Sequence, residues 1–311
     1  MSRNRSITRI VRFAAFAALA ITLAQLSAAE PGADQLGKKK ESTSATNTER
    51  PGWRLVWSDE FDYEGLPDPK KWKYETGFVR NHELQYYTEG RSENARVENG
   101  MLVIEARKEH FPNPKYDKTA AKGDWNKTHE FAEYTAASLN TASTASWTYG
   151  RVEVRAKLPK GKGTWPAIWM LGKKGGWPKC GEIDIMENVG FDPDGIHTTI
   201  HTAQVSNHAK HTAKGHRTTV PHPYDDFHVY AVEWTEKVIT FFVDENKVFA
   251  FENNSTAEDA WPFDKPQYLL LNFAFGGEWG GAKGVDETIF PQKFFIDYVR
   301  VYEAAEKAVK P

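Results

Sequence analysis

The chain has 311 residues, with 40 Lys and Arg against 42 Asp and Glu and a formal net charge of −2. That length accommodates one large β domain or two small ones, and the near-zero charge argues against a nucleic-acid or polyanion partner. With 11 Trp and a single Cys, the chain is rich in flat apolar faces of the kind that meet sugar rings, and it has no internal disulfide to hold it together.

Residues 1–29 read as a secretory signal peptide. Arg3, Arg5, Arg9 and Arg12 precede an apolar run over 13–26, and Ser27-Ala28-Ala29 offers small residues for cleavage before Glu30. The run is short for a bilayer span. The expectation is a secreted protein, extracellular or periplasmic, with no membrane association after cleavage. Residues 30–50 are polar and read as a flexible linker. A folded domain is expected over 51–303, with a charged, frayed tail at 304–311.

Within the domain the pattern is short strands and turns, without helical periodicity. Strands are expected over 53–57 and 101–106, the second entered through an Asn99-Gly100 turn. The stretch 81–88 mixes polar and aromatic residues and suits either a cleft wall or an edge strand. Residues 109–130 read as a loop. Strands follow over 134–139 and 150–158, then 165–171, where Trp165 and Trp169 share a face. A loop over 173–179 carries Trp177 and leads to the carboxylate stretch 182–187. Beyond it, 197–201 is a strand with two His on one face, and His201 is placed to orient Asp184. Residues 204–223 read as a polar loop. Strands are expected over 227–234, 238–243, 248–251, 267–275 and 294–302. Residues 276–281 read as a flexible loop exposing Trp279. Cys180 reads as a small buried residue. The fold class is all-β, a two-sheet antiparallel β-sandwich of the jelly-roll kind.

The chemistry concentrates in Gly181-Glu182-Ile183-Asp184-Ile185-Met186-Glu187-Asn188. Side chains of a strand alternate faces, so Glu182 and Asp184 share one face while Ile183 and Ile185 point to the core. Glu187 has the wrong parity. One extra residue near Ile185-Met186, a β-bulge, returns it to the carboxylate face. Two carboxyls held roughly 5–5.5 Å apart are the machinery of a retaining glycosidase, one attacking the sugar carbon and the other protonating the leaving oxygen. Three such groups cannot all ionise near neutral pH, so one should keep its proton.

The assembled motifs, LVWSDEF, NHELQYYT, YGRVEVRAKLP, WPAIWMLG, GEIDIMENVG and FPQKFFIDYVRVY, resemble glycoside hydrolase family 16 from about Trp53 to Tyr302, most closely its laminarinase (endo-β-1,3-glucanase) branch. The resemblance implies a concanavalin-like jelly roll and a retaining endo-glycosidase acting on a β-glucan polysaccharide. It makes Glu182 the nucleophile, Glu187 the acid/base and Asp184 the assisting acid. It places Trp165, Trp169 and Asn81 at sugar contacts, joined by His201 and Trp279 from the residue reading. It implies no cofactor for catalysis, and a structural Ca2+ held by carbonyl and carboxylate oxygens at Glu60, Gly100 and Asp297. The Met186 insertion separates the chain from lichenase-like members. Two positions depart from the branch: Ser138, where laminarinases often carry Arg, and Glu278, where they often carry Asn. Alternatives are hydrolysis of mixed-linkage glucan, agarose or carrageenan, and a non-catalytic glucan-binding protein on the same fold. A monomer is expected.

Overall fold

A computed structural model describes residues 49–205, 214–255 and 260–305. The expected signal peptide, the expected linker up to residue 48 and the tail from residue 306 lie outside the described residues. The last linker residue, Arg50, is docked. Its guanidinium lies 2.8 Å from Glu153 and donates to Glu245.

Two sheets face one another. One has ten strands, and its main path runs Asn246–Glu252, Val238–Val243, His228–Trp234, Gly150–Lys157, Gln292–Ala304, Met101–Pro112, Phe131–Ala136 and Gln85–Tyr87. The other has seven, ordered Lys214–Thr219, Asp192–His201, Glu182–Val189, Thr164–Gly172, Gln267–Phe275, Ser138–Asn140 and Lys73–Tyr74. All these pairings are antiparallel except that of Gln85–Tyr87 with Phe131–Ala136. The all-β sandwich expected from the alternation is therefore what forms.

The core lies between the sheets. Ile168, Met170, Ile183, Ile185, Met186, Ile196 and Ile200 of the seven-stranded sheet meet Val152, Val154, Tyr230, Val232, Phe294 and Ile296 of the other. Each fully buried aliphatic side chain contributes about 1.5–3 kcal/mol, which offsets the cost of the charged face on the far side of the same strands. Cys180 is buried, as its size suggested.

Three expectations change. Residues 214–219 form an edge strand paired with Asp192–His201, within what read as a polar loop. Its side chains are almost all exposed, so it carries no apolar alternation. The expected single strand over 134–139 is two strands, Phe131–Ala136 in one sheet and Ser138–Asn140 in the other, with the chain crossing between them at Ala137. The strand expected over 101–106 continues to Pro112 because Arg107 to Pro112 pair with Phe131–Ala136.

The carboxylate strand is third of seven, and its register shows the bulge. Asp184 pairs with Trp169, and Met186 with the next residue, Ile168. Ile185 and Met186 are both fully buried in the core, so the two bulge residues share the inward face. Replacing Met186 by Ala should therefore cost about 2–5 kcal/mol of stability. Urea unfolding reads this as a lower midpoint with an unchanged slope.

Candidate active site

Glu182, Asp184 and Glu187 project from the outer face of the seven-stranded sheet, opposite the core. Antiparallel pairing places Leu171, Trp169 and Ala167 beside them on one flank and His201, Thr199 and His197 on the other. The bulge is what brings Glu187 to this face, as the parity argument required. His201 Nε2 lies 3.2 Å from Asp184 Oδ2, so the expected His201–Asp184 neighbourhood is present.

Each outer carboxylate has an indole partner. Trp165 Nε1 donates to Glu187 Oε1 at 3.0 Å, and Trp177 Nε1 donates to Glu182 Oε2. Trp177 was read only as a loop residue. Its role shows in the fold, where the turn at Gly175 and Gly176, both at positive φ, brings its indole back over the strand.

Burial sets the protonation of this group. It pushes Glu182 up to about 8, helped by the charge of Asp184 and opposed by His201 and the Trp177 N–H. It pushes Glu187 up to about 7, opposed first by the Trp165 N–H and helped by the charge of Glu182. Asp184 is raised well above the ordinary carboxylate range, again by burial first and then by Glu187. Glu182 and Asp184 occupy neighbouring outward positions of one strand and act on one another's charge, so a proton held between them is favoured over two charges side by side. The three carboxyls titrate as one unit. When the shared proton sits on Asp184, Glu182 is a free carboxylate beside a protonated Glu187.

The remaining sequence-selected residues surround this centre. Trp169 lies on the face as expected. Its Nε1 donates to Asn272 Oδ1 at 2.7 Å, and the guanidinium of Arg80 lies 5.0 Å from its ring centroid. Trp279 is half-buried in a helical turn, Gly277–Gly280, rather than exposed on a flexible loop. It packs edge-on against Trp165 at 5.5 Å and against His197 at 4.9 Å. Asn81 sits at φ 54°. Its carbonyl accepts from Glu278 N, and its Nδ2 donates to Glu83 Oε1 at 3.2 Å. Ser138 donates to Glu75 Oε2 at 2.6 Å, and Glu75 pairs with Arg80. A guanidinium thus reaches this face from residue 80. Glu278 is bound to His82 Nδ1 at 3.0 Å.

Among the described residues, Glu182, Asp184 and His201 bring three ligand atoms within 4.8 Å of one another, so a cation there would occupy the carboxylates themselves. The positions read as a calcium site lie on the other sheet. Asp59 pairs with Val299 and Leu102 with Ile296, so Glu60 and Gly100 flank the segment at Asp297. A register break between Ile296 and Tyr298 frees Asp297 from the ladder with Gly150–Lys157. The Glu60 carboxylate is held at both oxygens by Arg300, at 2.9 and 2.8 Å. Asp297 Oδ2 accepts from Arg155 at 2.7 Å. With its carboxylate taken by Arg300, Glu60 would meet a cation through its backbone carbonyl. Carbonyls with one carboxylate suit a hard cation.

The profile of the Glycosyl hydrolases family 16 matches residues 82–300. A β-glucanase of Rhodothermus marinus is 50% identical over 268 residues, covering 82% of this chain and 87% of the relative. The X-ray structure of the laminarinase from Rhodothermus marinus superposes with a TM-score of 0.72 at 50% identity, over 82% of this chain and 98% of that one. SCLam, a non-specific endo-β-1,3(4)-glucanase, superposes with a TM-score of 0.73 at 49% identity, over 82% and 93%.

The raised carboxyls carry a stability consequence. The folded state holds the Glu182 proton more tightly than the unfolded chain. The stability this contributes is complete below 4.5 and is lost as pH rises through about 8. Glu182→Gln removes that loss. Its melting temperature should exceed that of the wild type by several degrees near pH ~9 and by much less near pH ~5, as read by differential scanning calorimetry.

Proposed function

The chain belongs to glycosyl hydrolase family 16, and from that premise we propose that it is a retaining endo-β-glucanase that cleaves β-1,3 bonds of laminarin-type glucan and accepts mixed β-1,3(4) linkages. The observation that carries this reading is one strand presenting three carboxylates on one face, Asp184 buried between the half-buried Glu182 and Glu187, with an indole N–H on each outer member.

Glu187 gives its proton to the glycosidic oxygen as Glu182 attacks the anomeric carbon, and the C–O bond breaks. A glycosyl ester on Glu182 results. Water then attacks that carbon, Glu187 takes the water's proton, and Glu182 leaves. Asp184 holds the shared proton while Glu182 is the nucleophile. His201 keeps Asp184 in place. Trp165, Trp169, Asn81 and Trp279 line the face along which the glucan lies. The inversion of configuration at each displacement restores the starting anomer, so the first-formed product is β.

Residues 1–29 are proposed to direct export. A monomer is proposed. Calcium is proposed at the carbonyls of Glu60 and Gly100 and the carboxylate of Asp297, remote from the reaction, where it would tie three backbone segments together.

The purified 30–311 protein should release short β-1,3 gluco-oligosaccharides from laminarin, the β-anomer appearing first by NMR. Glu187→Gln should lower kcat about 10²–10⁴-fold, and Glu182→Gln should abolish turnover while oligosaccharide binding persists. Near-wild-type rates in Glu182→Gln would overturn the assignment. Cleavage of agarose or carrageenan in place of glucan would keep the triad and change the substrate.

For calcium, a chelator should lower the melting temperature of the wild type. Added Ca2+ at about 100 times its Kd should return about 2.7 kcal/mol, and Asp297→Ala should lose both responses without losing kcat.

A further inference from the structure

Glu83 is a buried carboxylate beside the site that the mechanism does not use. It is only 3% exposed, and three side chains point donors at it. Gln85 Nε2 donates to Oε2 at 2.8 Å, Tyr87 Oη to Oε2 at 3.2 Å and Asn81 Nδ2 to Oε1 at 3.2 Å.

The direction of two of these bonds is fixed by groups that can only donate. The backbone N–H of Phe275 donates to Gln85 Oε1 at 2.7 Å, which leaves the amide nitrogen of Gln85 to face Glu83. The Trp169 indole N–H donates to Asn272 Oδ1, so Asn272 must present its Nδ2 to Tyr87 Oη, at 3.0 Å. The Tyr87 proton is then left for Glu83. A proton placed on Glu83 Oε2 would meet two donors and no acceptor. Arg80 adds a positive charge nearby. Burial pushes Glu83 upward, while Arg80 and the three donors pull it back.

The same residue is built into the wall of the site. Its backbone bridges to Gly276, directly before the turn that carries Trp279. Trp279 packs on Trp165, and Trp165 bonds Glu187. The charge of Glu83 acts on Glu187.

We infer that Glu83 is a fourth carboxylate of the site, a positioning residue held ionised by its three donors, whose charge helps to keep the proton on Glu187 between turnovers. This rests on Glu187 being the acid of the proposed reaction. The groups facing Glu187 are Glu182 and Asp184 from its own strand, His197 and His201 from the neighbouring strand, the Trp165 indole, and Glu83 from the segment before Gln85–Tyr87. His197 is tied to Asp192, which also binds Arg217. Glu83 in turn faces Arg80, which pairs with Glu75. Glu83 is the carboxylate near Glu187 that takes no part in bond making.

The test is the pH profile of kcat/KM on whichever glucan the wild type cleaves. Glu83→Gln keeps the shape and removes the charge. It should move the alkaline limb about 0.5–1 unit toward acid, because Glu187 loses its proton more readily without a nearby anion. Arg80→Met exposes Glu187 to an uncompensated Glu83 and should move the limb toward alkali. A merely structural role predicts lower activity in both with no movement, and that result overturns the inference. So does movement of both limbs in one direction. If Glu83→Gln does not fold, the Arg80→Met limb decides alone.

An infrared difference spectrum between wild type and Glu83→Gln at neutral pH needs no turnover. Loss of an ionised carboxylate band supports the inference, and loss of a protonated carboxyl band overturns it. A wild type that cleaves no polysaccharide would defeat the functional reading, and the spectrum would still report on Glu83.

Discussion

Three carboxylates share one outer face of a single strand, and their mutual repulsion organises what surrounds them. The strand tolerates them because its other face is apolar at the positions behind them. Ile183, Ile185 and Met186 are fully buried, and a slip of one residue would drive Glu182 and Asp184 into the core. Register is thus fixed by the same residues whose burial stabilises the sheet. The bulge follows from the composition. Two consecutive apolar residues between Asp184 and Glu187 can both turn inward only if the ladder skips, and it skips there on both flanks.

The polar surroundings answer the same repulsion. Each outer carboxylate has an indole N–H, Asp184 has His201, and Glu182 and Asp184 share a proton. Indoles suit this place because they donate one hydrogen bond and bring no charge. A lysine at either position would lower the carboxyls into the ordinary range and remove the proton that the leaving oxygen needs. Neutral donors orient the groups and leave burial to hold the proton.

The period-two pattern made the core of this site readable from the chain. Glu182, Asp184, the extra residue, Trp165 and Trp169 all follow from alternation within one or two strands. What escaped was of a different kind. Lys214–Thr219 is an edge strand with both faces in solvent, so it has no alternation to read. The break at Ala137 depends on which sheet each half joins, and the sequence 132–139 crosses it without a Gly or Pro to mark it. Arg80, Glu83 and Trp177 acquire their roles through turns and through contacts far along the chain. Gln85 reaches the site wall by accepting from Phe275, 190 residues away. The mixed composition of 81–88 signalled a site wall or an edge. Only the fold decided which.

The two departures from the laminarinase pattern fall on this wall and leave the triad untouched. Ser138 is too short to reach over Trp169, yet its hydroxyl binds Glu75, Glu75 binds Arg80, and the Arg80 guanidinium lies on the Trp169 ring. Glu278 is occupied by His82 in the same region. The cation supplied from residue 80 is paired with Glu75, and the charge of Glu83 acts on it as well, so much of its charge is already answered. A sulfated or uronate sugar above Trp169 would meet a nearly neutral group with carboxylates behind it, whereas a neutral hydroxyl would meet a hydrogen-bond donor. The site wall therefore favours an uncharged polysaccharide on electrostatic grounds that are independent of the chemistry at Glu182 and Glu187, and it does so through residues that lie outside the carboxylate strand.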